Sequence, residues 1–264
     1  MERRFTSSPW GFRFWNFERY CDFMKKIGIT DICTMFGEPE KLKLAFKAEK
    51  GEIEKYKNIA EDKGIKFLEI AITNDYKKEI PLASILNVKY IRVCDHWEDS
   101  DESFKKVVKM LKDTGKVAEE YNMIVIVENH GGLMTKAEKC RKLIEAVGME
   151  NVTINYDPAN FLYFGEDPIK AIDEILPYIG FTHFKSVKYE DGKPKYCRLK
   201  EGVIDYKKIF EKLFGNNSSP LRGDGKGEGE MVYTGYIGLE YEEPSDVEEG
   251  TMDDFEYIKR LIGA

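Results

Sequence analysis

The chain has no long apolar run, no basic excess and no paired cysteines, and each absence closes a class of function. No stretch approaches the roughly 20 apolar residues a membrane span requires. Met1-Glu2-Arg3-Arg4-Phe5 leads into no apolar signal segment, so a membrane partner and export are not expected, and the expected compartment is the cytoplasm. The formal charge is −7 over 264 residues. That disfavours nucleic acid as a partner, because nonspecific binding rests on phosphate neutralisation by Lys and Arg. The five cysteines, Cys21, Cys33, Cys94, Cys140 and Cys197, are scattered and form no C-x-x-C pair, which argues against a zinc knuckle or a disulfide framework and for free thiols. A glycine-rich phosphate loop after the first strand, the mark of an open doubly wound sheet, is missing as well. Gly223-Asp224-Gly225-Lys226-Gly227 lacks the G-K-[ST] ending and reads, with the rest of Gly215–Glu230, as a surface loop.

What is present is an alternation of short β-type runs with longer amphipathic ones. Expected strands are Arg4–Ser7, Thr30–Met35, Lys66–Ile72, Lys89–Cys94, Met123–Glu128, Val152–Asp157, Gly180–Lys185 and Tyr236–Glu240. Expected helices are Phe17–Ile27, Gly51–Lys63, a short one near Pro81–Leu86, Asp101–Tyr121, Thr135–Val147, Pro168–Leu176, Asp205–Phe214 and Ser245–Ile262. Thr135 and Glu138 have capping-box spacing, and the charged Lys188–Lys200 stretch, with Asp191-Gly192 inside it, reads as a hairpin or loop excursion. Strands alternating with helices imply a parallel sheet. The length matches the about 250 residues of a (β/α)8 barrel, so a single TIM-barrel domain over 1–264 is expected.

Four apolar runs stop on a residue that can bind a metal: Glu128, Asp157, His183 and Glu240. On a closed parallel barrel their carboxyl ends surround one mouth, where this architecture places its chemistry. One acidic residue after a strand is ordinarily a solvated loop residue; recurrence at four strand ends is the signal. Two carboxylates about 4 Å apart repel by roughly 4 kcal/mol at an effective dielectric near 20, so three converging carboxylates call for a cation or for protons. With one imidazole added, the set suits Mn²⁺, Co²⁺, Mg²⁺ or Zn²⁺ better than a thiolate-preferring ion.

The segments Glu128-Asn129-His130-Gly131-Gly132, Asp157-Pro158-Ala159-Asn160-Phe161 with Gly165-Glu166-Asp167-Pro168, His183-Phe184-Lys185, Glu201-Gly202-Val203-Ile204-Asp205-Tyr206 and Gly238-Leu239-Glu240-Tyr241-Glu242 resemble the signature segments of the xylose isomerase-like TIM barrels, the sugar phosphate isomerase/epimerase superfamily. The resemblance runs from about residue 85 to the end. It implies a barrel with one divalent ion held by Glu128, Asp157, His183 and Glu240. The superfamily also holds dehydratases and the endonuclease IV branch. That last branch uses a histidine-rich multinuclear zinc site, whereas this chain has only His96, His130 and His183, with Asn160 where a histidine often follows the aspartate. The second strand, Asp31-Ile32-Cys33, lacks the glutamate often found there, and Lys200 replaces a glycine.

These residues give an expected chemistry: a metal-assisted isomerase or epimerase of a small sugar or polyol. Either Glu128 or Glu240 removes a proton alpha to a carbonyl, the other returns it, and the ion stabilises the enediolate. Loss of a β-hydroxyl after the same first step gives the alternative, an inosose or dehydroshikimate dehydratase. An abasic-site nuclease and a sugar-binding barrel without turnover complete the options, and a homo-oligomer is left open. Expected substrate contacts are His130, Asn160, Lys185, Arg198 and His96, each with a loop, salt-bridge or surface role as its alternative. Trp10, Phe12, Phe14 and Trp15 are read either as an apolar wall for a sugar face or as packing over the barrel end.

Overall fold

The near-continuous apolar runs become parallel strands because both of their faces are covered, one by the barrel interior and one by helices. The computed structural model describes residues 4–73, 75–215 and 232–263. Its strands are β1 (Arg4–Ser7), β2 (Asp31–Met35), β3 (Lys66–Ala71), β4 (Tyr90–Val93), β5 (Ile124–Glu128), β6 (Val152–Tyr156), β7 (Ile179–Phe184), β8 (Ser186–Glu190), β9 (Lys193–Cys197) and β10 (Tyr236–Leu239). Eight of them pair in parallel in the order β1-β10-β7-β6-β5-β4-β3-β2, while β8 and β9 form a separate antiparallel hairpin. At the seam between β1 and β2, Thr6 Oγ1 and Cys33 Sγ lie 3.3 Å apart in a hydrogen bond. A nearly closed (β/α)8 barrel results, as the alternation implied.

The helices are α1 (Phe17–Ile27), α2 (Lys50–Lys63), α3 (Tyr76–Ala83), α4 (Asp101–Glu120), α5 (Ala137–Val147), α6 (Pro158–Tyr163), α7 (Pro168–Ile175), α8 (Tyr206–Phe214) and α9 (Val247–Ile262). Each longer one buries a single stripe; α4 turns Val107, Leu111, Thr114 and Ala118 inward, the spacing of a core-facing helix. Among the described residues no helix is long and apolar enough to cross a membrane.

The period-two alternation of the strands sets up the site. On β5, Ile124 and Ile126 point into the barrel beside Tyr90, Phe181 and Tyr236, whereas Val125 and Val127 join the outer core against the helices. Two residues further along, the same alternation carries Glu128, Arg92, His183 and Gly238 to the inner side. Gly238 is needed there, since a Cβ would meet the Thr182 carbonyl oxygen at 2.3 Å and His183 Cδ2 at 3.0 Å. The glycine leaves room for the imidazole.

Three local expectations are corrected. The helix expected near Pro81–Leu86 starts earlier, at Tyr76, and contains Pro81, followed by a 3₁₀ turn over Ser84–Leu86. Glu79 anchors it by accepting hydrogen bonds from the Thr73 N–H and hydroxyl, both at 2.7 Å. The Thr135–Glu138 capping box does not form: Lys136 is the N-cap of α5, and the Thr135 hydroxyl donates back to the Gly132 carbonyl at 3.1 Å because it belongs to the preceding 3₁₀ turn. Helix α6 was not expected, although Asp157 followed by Pro158 is a cap with proline in the first turn. The excursion at Lys188–Lys200 is a hairpin whose Asp191 and Gly192 both have positive φ, 51° and 75°, as a two-residue turn of this hand demands. The glycine-rich stretch expected to be a surface loop lies, from residue 216 to 230, outside the described residues.

Beyond the hairpin, Leu199 donates its N–H to Asp254 Oδ1 on α9 at 2.7 Å, and Asp254 is 1 % exposed. Burial pushes this carboxyl up to about 8. Because the folded pKa is raised, its contribution to stability is complete below the unfolded value near 4 and is lost as pH rises toward 8, at about 1.36 kcal/mol per pH unit. Asp254→Asn keeps the acceptor and removes the ionisation. Thermal unfolding should show it more stable than the parent at pH 8 and equal to it at pH 4.

Candidate metal centre

The centre is assembled from strand ends. Glu128 closes β5, His183 sits on β7, Glu240 follows β10, and Asp157 follows β6. One donor atom each from Glu128, His183 and Glu240 lies within 4.8 Å of the others, all three residues being buried. His183 Nδ1 is 3.3 Å from Glu240 Oε1 and 3.8 Å from Glu128 Oε1. Asp157 stands outside this trio. Its Oδ1 caps α6, accepting from the Ala159 and Asn160 N–H groups at 2.8 and 3.1 Å, and its Oδ2 is 3.1 Å from Lys185 Nζ. The backbone of Asp157 is fixed by Asn129 on the neighbouring strand end, which donates to its carbonyl and accepts from its N–H.

Two permanent cations sit among the acids. Lys185 Nζ lies 2.9 Å from Glu240 Oε2 and 2.6 Å from Glu242 Oε1, besides Asp157. Arg92 reaches Glu69 Oε1 through Nε at 2.9 Å and Glu128 Oε2 through Nη1 at 2.8 Å. Each catalytic candidate is thus divided. One oxygen of Glu128 and one of Glu240 is held by a cation, and the other faces Nδ1 of His183. Ser8 donates to that second oxygen of Glu240 at 2.6 Å, and Asn160 Nδ2 to that of Glu128 at 3.3 Å.

Protonation follows from these contacts. Burial opposes ionisation of Glu128, but Arg92 and His183 outweigh it and hold the carboxyl well below the usual range. Glu240 is likewise depressed, burial being overcome by Lys185 and His183. Burial raises Asp157 to about 7 against the pull of Lys185. His183 is raised despite its burial, chiefly by Glu240. A thiolate is not available nearby, since burial pushes Cys33 up to about 12.

A cavity of about 410 Å³ opens on the site, with Glu128, His130, Lys185, Glu240 and Glu242 on its polar side and Trp10, Phe36 and Tyr196 among its apolar walls. A larger one, about 540 Å³, lies at the opposite barrel end beside Asp31, Lys66 and Tyr236 and has no such convergence of acids. Of the expected substrate contacts, His130 and Lys185 line the first cavity, and Asn160 touches Glu128 just beside it. His96 does not line it. Exposed at the surface, it lies with its ring 4.6 Å from that of His130. Arg198 is not among the residues lining the cavity: its guanidinium pairs with Asp246 at 3.0 Å and Asp253 at 2.9 Å, acids near and on α9. Of the aromatic group, Trp10 alone lines the cavity; Phe12 is buried and Phe14 exposed.

Glu69, Arg92, Ser8, Tyr196 and Glu242 went unassigned from sequence. For Glu69 and Arg92 a signal existed: each is a lone charge inside an apolar strand, Leu68-Glu69-Ile70 and Ile91-Arg92-Val93, and such a charge is retained inside only when paired.

The donor set suits a hard or borderline divalent ion. Among the described residues, four buried carboxylates, Glu69, Glu128, Asp157 and Glu240, and the nearly buried Glu242 face only Lys185 and Arg92 as permanent cations. The surplus is negative. His183 Nε2 is buried without a hydrogen-bond partner, and Asp157 Oδ2 has only its ion pair with Lys185.

The family described as the xylose isomerase-like TIM barrel matches residues 21–220. The chain belongs to that family. An inosose dehydratase of Clostridium tetani is 29% identical over 134 residues, 45% of each chain. One of Geobacillus kaustophilus is 24% identical over 213 residues, 67% of this chain and 64% of that protein. The chain thus matches between about half and two thirds of the length of these relatives. The fold is shared with an IOLI protein solved with a bound zinc atom, at TM-score 0.76 and 16% identity over 98% of both chains. It is shared too with a probable 3-DHS dehydratase, AsbF, of Bacillus anthracis, at TM-score 0.73 and 16% identity over 97% of this chain and 98% of the other.

Proposed function

We propose that the protein is a divalent-metal-dependent dehydratase of a small cyclic polyhydroxy ketone, removing a β-hydroxyl as water. The observation that carries this is the contact of Lys185 Nζ with Glu240 Oε2 at 2.9 Å on the cavity wall. Epimerisation needs a second proton carrier on the opposite face of the substrate, whereas Lys185 stands next to Glu240. Elimination needs a proton donor for the departing hydroxyl next to the base, and Lys185 is one. The curated relatives described as inosose dehydratases support the same branch.

Glu128, Asp157, His183 and Glu240 are the residues to hold the ion; when bound, it polarises the ketone oxygen as a Lewis acid. Zinc, manganese, cobalt and magnesium all suit these donors. Glu240 Oε2 takes the proton alpha to the ketone. The electron pair of the broken C–H bond forms the new double bond as the β-hydroxyl leaves with a proton from Lys185, giving water and an unsaturated ketone. Glu240 then returns its proton to Lys185 across their contact, and nothing is oxidised or reduced. Asn160 holds Glu128 in place, and His130, whose Nδ1 is buried without a partner, is placed to bind a substrate hydroxyl.

Incubation with an inosose and with dehydroshikimate, with Mn²⁺ or Zn²⁺ added, should raise the ultraviolet absorbance of a conjugated ketone or its tautomer, with release of one labelled hydroxyl per turnover. A stereoisomer or an aldose–ketose product formed without absorbance change would instead establish the isomerase or epimerase reading.

A further inference from the structure

The cavity of about 540 Å³ at the barrel end away from the metal centre takes no part in the chemistry above, yet its size is that of pockets enclosing small molecules, roughly 300–1,000 Å³. It opens where strands begin. Asp31 is the first residue of β2, Lys66 of β3 and Tyr236 of β10, and Lys89 immediately precedes β4. Asp31 and Lys66 are partners in the register of β2 with β3, and the Lys89 N–H donates to the Leu68 carbonyl of β3 at 2.9 Å. The two lysines therefore stand on neighbouring strands of one rim. A third lining lysine, Lys57, is answered by Glu61 at 3.9 Å. Lys66 and Lys89 form no ion pair among the described residues; Lys89 has only the Tyr90 ring, 5.1 Å away. Arg4, exposed beside the cavity, lies 4.3 Å over the Tyr236 ring and donates to its hydroxyl at 3.5 Å. Burial holds the Asp31 carboxyl above its usual range, while Lys66 and Arg4 pull it down, so these charges share one field. Beyond the Lys57–Glu61 pair, three cations thus face a single carboxylate, in a chain whose formal charge is −7.

We propose that this cavity is a second ligand site, which binds a small organic phosphate through Lys66 and Lys89, with Arg4 at its edge. A phosphate monoester carries about −1.5 to −2 charges at pH 7, which matches the local surplus, and lysine serves phosphate as a point charge. The carbon skeleton has an apolar wall to lie on, made by Leu68, Leu86 and Tyr236. A nucleic acid is a poorer match, since its binding draws on phosphate contacts spread along a strand and this rim offers three cations. Barrels of this kind do their chemistry at the other end, and the cavity lacks the convergent acids of the metal centre. The phosphate is therefore bound here without being converted. Nothing in this assignment depends on the dehydratase reading.

Phenyl phosphate is the probe, because it joins a dianion to one apolar ring, and inorganic phosphate and phenol are its two halves. Isothermal titration of the metal-free protein in low salt at about pH 7.5, where the ester is a dianion, should show one saturable site. Phenyl phosphate should bind more tightly than inorganic phosphate, and phenol should not saturate. Lys66→Gln and Lys89→Gln replace exposed side chains and should leave the fold intact. Each should weaken binding about tenfold or more, as loss of a hydrogen bond to a charged group does. Asp31→Asn, which removes the opposing charge, should tighten it. No saturation by about 10 mM phenyl phosphate, beyond the millimolar range of weak specific binding, would overturn the proposal. So would binding that survives both lysine variants, which would place the anion beside Lys185 and Arg92 in the catalytic cavity. Equal affinity for inorganic phosphate would overturn the role given to the apolar wall.

Discussion

Glu240→Gln should lower kcat by about 10²- to 10⁴-fold, the usual worth of a positioned acid–base group, in a protein that still folds. The substitution preserves the shape of the side chain and its bond from Ser8 while removing the acceptor of the α-proton. It also places a neutral amide against Lys185 Nζ, where Oε2 now sits at 2.9 Å, so the donor that releases the hydroxyl cannot be recharged. Because Glu240 is also read as a ligand of the ion, the variant is to be assayed across a metal titration. A weakened ion affinity accounts only for the part of the loss that excess metal restores. The remainder, persisting at saturation, measures the proton transfer. Full turnover at saturating metal would remove Glu240 from the chemistry.

The largest loss of stability is expected from Arg92→Leu. The guanidinium is buried, 7 % exposed, between Glu69 and Glu128. Removing one member of a buried ion pair leaves its partners as uncompensated charges, at about 3–5 kcal/mol. Denaturant unfolding of metal-free protein should show a loss of that size. With Mn²⁺ or Zn²⁺ present the deficit should shrink, since an ion at Glu128 replaces part of the lost charge and binding only the folded state adds RT ln(1 + [L]/Kd). A deficit below about 1 kcal/mol in the metal-free protein would mean that the Arg92 contacts carry little energy.

Much of this was legible before any coordinates, for identifiable reasons. The barrel strands announce themselves because both faces are apolar, so runs such as Ile124-Val125-Ile126-Val127 need no knowledge of register to be recognised. A polar residue ending such a run must face the barrel mouth, which is why Glu128, His183 and Glu240 could be named together. Asp157 was named on the same ground, yet its Oδ1 is occupied in capping α6. That helix has six residues, too few for periodicity to show. The Glu69–Arg92 pair stayed hidden because its partners are 23 residues apart on neighbouring strands, and the irregular register of β2 against β3, where Ile32 faces Phe67 but Cys33 faces Glu69, obscures which face Glu69 occupies. The ion pairs of Arg198 were not legible because the acids that neutralise it lie at and beyond residue 246. The isomerase reading and the dehydratase reading share their first proton, and choosing between them depends on Lys185 lying beside Glu240, a distance no spacing along the chain reveals.

The placement of Lys185 bears on the life history of the molecule. A site made only of acids would swell apart until metal arrived, and small domains organised around such sites fold only in its presence. Here a lysine from β7's edge lies among Asp157, Glu240 and Glu242 as a built-in stopgap. With that charge in place the acids are partly balanced before any ion binds, so the fold is expected not to wait for the metal. Metal-free protein should therefore unfold cooperatively by denaturant, at a midpoint that added ion raises.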